Sequence, residues 1–596
     1  MGGPAYDCLT NPLGAVRFSF GNALSSGYDP TSSHGKDWGV ADLFRHYFSD
    51  ESAISQVPIL DSSSIKWVQP NTLVRFRGMI QDMLGNEFYA GAYKDESTWR
   101  TNKYSDVSQF PDASTSNMQV WERRLLYCVP VPGQNQWTEC SSVELKNRFL
   151  DLTGQNREKR ARVDEEMTDS MDSNTSEAGL SGSPFKKMKA GEGTSSASEC
   201  QVPRTVDGAP QSSVLPPATS TESLPCLVKV YDSPESDLKL NDVVEFLGVL
   251  TFDPNTMMDM DSPDASTDDF SEAESVQMPS GKVPRLHCLV HRKLETQHFL
   301  HGSSLLTELK SPPMFKEIRD SLMKYLTGLL GNDHIASELL LLHLLSKVHG
   351  RVDNVAVGKL SLNLTHLNKE SMSIFGTQLR DALKSLLPFT QSIPLTTEYL
   401  NTASLGPKKD YGTNRLVPGV LQIADGTHLI LDETELQPGT LNSVGVENAN
   451  LLKNLMECQK VEYDFQYYKM EMATDAQMLI FSEGKSNIMP ADMVLPFQPS
   501  QVNPLQVITL ETAQAWRCYL ATCKSMSHSI GQELQQVLEN DLVAARQTDR
   551  SLGSQDLSRL LTMARMMSVS YGETTLSLEH WQMVLELERL RKERLK

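Results

Sequence analysis

The chain has 596 residues, with 55 lysines and arginines against 75 aspartates and glutamates, for a formal net charge of −20. That length suits about three or four ordinary domains, and 39% hydrophobic with 22% charged residues suits a soluble globular protein carrying some disordered segments. The acidic balance disfavours the surface as a whole for nucleic acid, so direct nucleic-acid binding is not expected and protein partners come first.

Residues 1–150 read as folded and mixed. Leu73–Ile80 alternates like a strand, Leu125–Val131 does so more weakly, and Pro132-Gly133 supplies a turn. Across residues 151–223 Ser, Thr, Gly, Pro and acids dominate, and Phe185 is the only aromatic between Asp151 and Val230. Such a stretch buries too little apolar area to offset its ordering entropy, so it reads as a disordered linker. Order returns over 224–300. Cys226–Tyr231 and Leu238–Leu250 read as two alternating strands around a polar turn, with a bend at Gly248, and Pro284–His291 as a further strand. Between them lies an acidic loop, 253–280, and residues 241–281 hold no Lys or Arg. The pieces 1–150 and 224–300 are expected to be halves of one β-rich region, a small barrel or sandwich.

Residues 312–504 read as α/β. Phe315–Leu330 and Ile335–Val348 are apolar at helical spacing, and a short strand at Lys359–Leu364 precedes a helix over Gly376–Leu387. Strands are expected near 429–431 and 478–481. Residues 505–596 read as helix throughout: Trp516–Ser525, Gln532–Arg546, Gln555–Val569 and Leu578–Lys596.

No secretory leader is visible, Tyr6 stands where myristoylation wants Ser or Thr, and the most apolar run, Leu339–Leu345, is far too short to span a bilayer. No membrane partner is expected. The nine cysteines (8, 128, 140, 200, 226, 288, 458, 518 and 523) form no Cys-x-x-Cys pair and no zinc spacing, so they read as reduced, mostly buried thiols and no metal is expected.

Two basic clusters stand in the linker, Lys159-Arg160-Ala161-Arg162 and Lys186-Lys187-Met188-Lys189. Short basic runs in a flexible acidic chain suit nuclear import, which predicts a nuclear protein. Ser183-Pro184-Phe185-Lys186 has the form preferred by cyclin-dependent kinases. Phosphate on Ser183 would place negative charge beside those lysines.

The apolar run Leu429-Ile430-Leu431 ends on Asp432 and Glu433. In an ATPase such a pair holds magnesium and polarises the attacking water. The phosphate-binding loop that should precede it is missing. After the 359–364 strand the chain reads Thr365-His-Leu-Asn-Lys-Glu-Ser371, with no glycine until Gly376, and glycine is what favours the positive-φ turns of an anion nest. Gly484-Lys485-Ser486 does not replace it, because Leu479 sits where the first glycine belongs and Pro490 follows too soon for a helix.

Pro418–Glu433 closely resembles the segment of MCM helicases that runs into their Walker B strand. Leu330–Leu345 resembles the MCM helix that leads to the P-loop, and Asn454–Tyr463 the helix entering the pre-sensor hairpin. Ala476–Ser482 takes the place of the sensor-1 strand, and Asp556–Ser568 with Thr575–His580 is similar to the MCM lid. The departures are four: the glycine-free loop, Glu483 near where an Asn is expected, no Lys or Arg between Lys485 and Arg517 for an arginine finger, and Gln555 at the sensor-2 position. Together with Asn11–Gly14, Phe76–Met83, Glu87–Tyr89, Tyr127–Gly133, Cys226–Tyr231, Lys409–Val417 and Val461–Phe465, this is similar to the MCM-binding protein family over nearly the whole chain outside the linker and acidic loop.

The resemblance implies an α+β multidomain chain: an OB-like β-rich region, a degenerate AAA+-like α/β domain over 312–504 and a helical lid over 505–596. It implies a non-catalytic nuclear replication factor that binds MCM helicase subunits, acts in their assembly or unloading and in sister-chromatid cohesion, and associates with chromatin. No cofactor and no catalytic residue are expected, and Asp432 with Glu433 is read as vestigial. Two rivals stay open. One is a residual ATPase that joins Asp432 and Glu433 to a partner's P-loop. The other is single-stranded DNA binding through the barrel, with Arg75 and Arg77 among aromatics, although both could simply lie on a solvated strand face.

Overall fold

The structure, a computed structural model, describes residues 8–31, 37–95, 98–106, 118–138, 224–252, 283–300, 312–353, 355–486, 488–502, 508–548, 550 and 552–596. Its architecture is mixed α and β. The linker reading over 151–223 and the acidic loop 253–280 lie outside the described residues.

Helix α1 (Pro12–Ser25) begins where the Asn11 side chain accepts from the Gly14 N–H at 2.9 Å, with proline at its first position. Helix α2 spans Val40–Ser49. Strand β1 (Leu73–Asp95) is followed by β2 (Thr98–Thr101), β3 (Met118–Val129), β4 (Cys226–Val230), β5 (Val243–Thr251) and β6 (Arg285–Lys293). The sheet order is β2-β1-β3-β4-β6-β5, and β5 pairs back onto β1, so five strands close a barrel with β2 outside the ring. Only the β4–β6 pair is parallel.

Closure depends on β1 serving two neighbours. Leu73–Met79 pairs with β5, and Met79–Tyr93 with β3 across three register shifts, one of them at Gly85 with φ of 89°. The expected strand over 73–80 is thus the first third of a 23-residue strand. Val74, Phe76, Leu126, Cys128, Val228, Val244 and Phe246 fill the barrel. Leu73, Leu247, Val249 and Leu289 point outward and meet Val16 and Phe20 of α1 and Val40 and Phe44 of α2. Both faces of β5 are therefore covered and every residue in it is buried. The strand starts at Val243, not at Leu238 as expected, because Asn241 takes a positive φ of 68° in the preceding turn. The expected bend at Gly248 is a bulge in the β5–β6 pairing, and a Cβ there would lie 2.2 Å from the His287 carbonyl oxygen.

Beyond the barrel come α3 (Pro312–Leu329), α4 (His334–Leu345), the hairpin β7 (Gly350–Val352) with β8 (Val355–Val357), β9 (Leu362–Thr365) and α5 (Thr377–Leu386). Then β10 (Thr390–Pro394), α6 (Thr397–Thr402), β11 (Lys408–Asp410), β12 (Arg415–Val417) and β13 (Thr427–Asp432) lead to α7 (Ser443–Cys458). Strands β14 (Lys460–Asp464), β15 (Lys469–Ala473), β16 (Ala476–Phe481) and β17 (Met493–Pro496) complete the series. A parallel sheet has the order β10-β13-β16-β9-β17, and a smaller sheet the order β12-β11-β14-β15. The centres of β13 and β16, Leu429–Leu431 and Met478–Phe481, are apolar because helices cover both faces of the parallel sheet. Ile430, Leu479 and Phe481 pack with α3, α4 and α5, whereas Leu429, Leu431, Met478 and Ile480 pack with Leu400 of α6 and Leu452 and Leu455 of α7.

Helices α8 (Leu510–Ser525), α9 (Gln532–Thr548), α10 (Ser554–Ser570) and α11 (Leu578–Leu595) close the chain. They pack into the same cluster as α3 and α4 through Trp516, Tyr519, Met563 and Trp581. No described helix is long and apolar enough to cross a membrane. Cys8, Cys128, Cys226, Cys288, Cys518 and Cys523 are buried free thiols and Cys458 is half-buried, while Cys140 and Cys200 lie outside the described residues.

The barrel is locked to the parallel-sheet region. Gln81 Nε2 donates to the Leu416 carbonyl at 2.6 Å and Gln422 Nε2 returns a bond to the Gln81 carbonyl at 2.8 Å. Asp82 accepts from the Leu416 N–H at 2.9 Å and from Arg415 Nε at 3.1 Å. Asn135 Nδ2 donates to the Leu387 carbonyl at 2.7 Å, and the Arg517 guanidinium lies 4.2 Å from the Trp137 ring. Separating the two regions would take these hydrogen-bond partners from the Gln81, Asp82 and Asn135 side chains.

Candidate functional site

In an open parallel sheet, ligands bind outside the carboxyl ends of the strands where the strand order reverses. Here that point lies between β9 and β16, since the chain leaves β9 for β10, steps back through β13 and β16, and then passes beyond β9 to β17. The crevice is tied shut by main chain. The His366 N–H donates to the Glu483 carbonyl at 3.0 Å and the Leu367 N–H to the Ser482 carbonyl at 3.1 Å. Beneath them, Ser482 Oγ donates to Asn363 Oδ1 at 2.8 Å.

One expectation needs correction here. His366 does take a positive φ of 65°, so the turn after β9 forms without glycine. What disqualifies it as an anion nest is that the His366 and Leu367 N–H groups are already consumed. Asn368 then accepts from the Ser371 N–H at 2.8 Å, and a five-residue π-helical segment, Met372–Gly376, leads into α5.

Asp432 and Glu433 stand at the end of β13, as the sequence suggested, but each is engaged within the chain. Arg380 on α5 donates to Asp432 Oδ2 at 2.9 Å, and Thr434 donates to Oδ1 through its N–H at 3.1 Å and its hydroxyl at 2.6 Å. Glu433 is buried, its Oε1 accepts from Ser486 Oγ at 2.6 Å, and burial raises its pKa despite that bond. A magnesium ion needs unshared anionic oxygens. The oxygens of Asp432 are taken by a guanidinium and by Thr434, and one oxygen of Glu433 by the Ser486 hydroxyl, so the pair as placed does not fit Mg·ATP. Among the described residues no group of His, Cys, Asp and Glu is arranged to hold a metal.

Other residues singled out in the sequence fall as follows. Glu483 lends its carbonyl to the seal on the crevice, and Gln555 lies exposed in the first turn of α10. Arg517, first of the basic residues after Lys485, is spent on the Ser385 carbonyl (2.7 Å) and on Trp137. Arg75 and Arg77 are not on a solvated face: both are buried against Glu245, at 3.4 and 2.7 Å, and Arg292 meets its other oxygen at 2.7 Å. Three guanidiniums on one fully buried carboxylate form an internal brace and leave neither arginine facing a nucleic-acid strand. Lys159, Arg160, Arg162, Lys186, Lys187, Lys189 and Ser183 lie outside the described residues.

A second feature escaped sequence reading. The turn between β14 and β15 and the turn between β11 and β12 place aromatic rings together on the surface. Tyr467 is 80% exposed, Tyr468 54% and Tyr411 46%. Tyr411 and Tyr467 lie 5.5 Å apart, Phe465 and Tyr468 stack at 5.0 Å, and the Tyr411 hydroxyl donates to the Phe465 carbonyl at 3.1 Å. The available signal was turn chemistry, Asp410-Tyr-Gly-Thr-Asn414 and Asp464-Phe-Gln-Tyr-Tyr468 between short strands.

The fold and its sealed crevice define a multidomain protein in which an α/β region carries a strand-end acid pair that is engaged within the chain. Residues 44–595 match the model of the mini-chromosome maintenance replisome factor family. The chain is 88% identical over the full length of both chains to a mini-chromosome maintenance complex-binding protein of Arabidopsis thaliana. It is 34% identical to the protein of that name from Salmo salar (99% of this chain, 98% of the relative) and 32% identical to that from Homo sapiens, with the same coverage. The chain belongs to this family, as a plant-type member.

Proposed function

We propose that this protein is a non-catalytic factor that binds subunits of the MCM helicase. Under this reading the closed five-strand barrel, with its single parallel pair, is an OB-like module. The parallel sheet of order β10-β13-β16-β9-β17 is a degenerate AAA+-like core, with α8–α11 as its lid. The observation that carries the reading is the pairing of Arg380 with Asp432 beside a crevice closed by the His366 and Leu367 N–H groups. A chain built this way presents MCM-like surfaces without taking part in hydrolysis. The names of its relatives supply the partner.

The finer role belongs to the same proposal: a nuclear protein acting in assembly or unloading of the helicase and in sister-chromatid cohesion, associated with chromatin through its partners. Import would rest on Lys159, Arg160, Arg162, Lys186, Lys187 and Lys189, with phosphorylation at Ser183 opposing it. The net charge of −20 and the internal use of Arg75 and Arg77 favour protein over DNA as the direct partner. Affinity purification from nuclear extract tests the reading. MCM subunits recovered in stoichiometric amounts support it; their absence, or ATP turnover that Glu433→Gln abolishes, overturns it.

A further inference from the structure

The aromatic tip adjoins a shallow groove lined by Leu405, Gly406, Pro407, Val444 and Leu451, with Glu447, Glu462 and Asp464 along its wall. The two features meet at Asp464 and Phe465, adjacent residues at the end of β14. Val444 on the first turn of α7 is 41% exposed and Met470 on β15 42% exposed, so apolar surface extends to both sides of the tip. Resting on the function proposed above, we infer that this aromatic ridge and acidic groove are the docking surface for an MCM subunit, which offers it an apolar segment carrying a lysine or arginine.

Rigidity, charge and composition support this. The tip is preorganised: Asp410 accepts from the Gly412 N–H (2.9 Å) and the Thr413 hydroxyl (2.7 Å), and Asp464 from the Gln466 N–H (2.8 Å). Exposed tyrosines held in place supply large contact area at low entropic cost. In the groove three carboxylates outnumber the two lysines nearby, Lys408 and Lys469, and Lys469 already bridges Glu447 and Glu462 at 2.9 and 2.7 Å. That surplus of one carboxylate favours a cation from a protein partner over the phosphates of a nucleic-acid strand.

The test mixes the full-length chain with each MCM subunit singly and measures Kd for wild type, Tyr467→Ala/Tyr468→Ala and Val444→Arg. Phe88→Ala, which removes a 72% exposed aromatic on β1, serves as the control. For the subunit that binds, both surface variants should weaken Kd about tenfold or more at unchanged melting temperature, with the control unaffected. Binding should also weaken as salt rises. Surface variants that bind like wild type overturn the inference while leaving the proposed function standing. Tight binding of a single-stranded oligonucleotide that both variants abolish overturns it in favour of nucleic acid. If wild type binds no MCM subunit, the proposed function fails and the docking surface with it.

Discussion

Arg380 decides what the strand-end acids can do. It sits 52 positions from Asp432 in sequence and 2.9 Å from its carboxylate in space. Arg380→Ala should cost about 1–3 kcal/mol by denaturant unfolding, because it leaves a half-buried carboxylate without its cation. A double-mutant cycle with Asp432→Asn should recover most of that loss. The buried pair His343 and His428 sets a pH limit. His343 Nδ1 lies 2.6 Å from the Leu360 carbonyl, so it donates there, and its Nε2 accepts from His428 Nε2 at 2.9 Å. That leaves His428 Nδ1 a buried acceptor without a partner among the described residues. Burial lowers both pKa values below 6.5, that of His343 to about 4. As pH falls below 6.5 the unfolded chain takes up protons first, so stability is full above that value and drains away towards pH 4. The His343 share is on the order of 3 kcal/mol. Thermal melts across this window should show the loss, and His343→Leu with His428→Leu should flatten it, leaving the slope from His349 and His528, which burial also lowers to about 4.

Among the elements, the joint at β12 holds the barrel to the parallel-sheet region. Asp82→Ala removes the acceptor for Arg415 and for the Leu416 N–H, and should destabilise by about 2–4 kcal/mol. Amide exchange at Leu416 should rise more than exchange within β13. Legibility followed strength of pattern. Strands β13 and β16 were readable because each holds an apolar run, Leu429–Leu431 and Met478–Phe481, and α10 and α11 because their apolar spacing is regular. The true length of β1 was hidden by Gln81, Asp82 and Gly85, polar or glycine positions at register shifts that show only once β3 is alongside. Strands β11 and β12 are three residues each and largely polar, so no periodicity exists to find. The acid pair was legible as a motif. Its engagement by Arg380 and Ser486, and the tyrosine tip, were not, because pairing across the fold and exposure are not written in local spacing.

At the scale of the whole molecule, a chain with its crevice sealed should behave as a platform. Mg·ATP should leave its melting temperature unchanged, whereas a nucleotide present at a hundredfold its Kd would add about 2.7 kcal/mol. A calorimetric scan with and without Mg·ATP distinguishes the two. The most direct measurement mixes purified full-length protein with MCM subunits in the absence of nucleotide and reads the mass of the complex by light scattering during gel filtration. A stoichiometric complex that forms without ATP is the expected result. No complex with any MCM subunit, or one that appears only while ATP is being hydrolysed, would contradict the proposal that this protein binds the helicase and does not act as a motor.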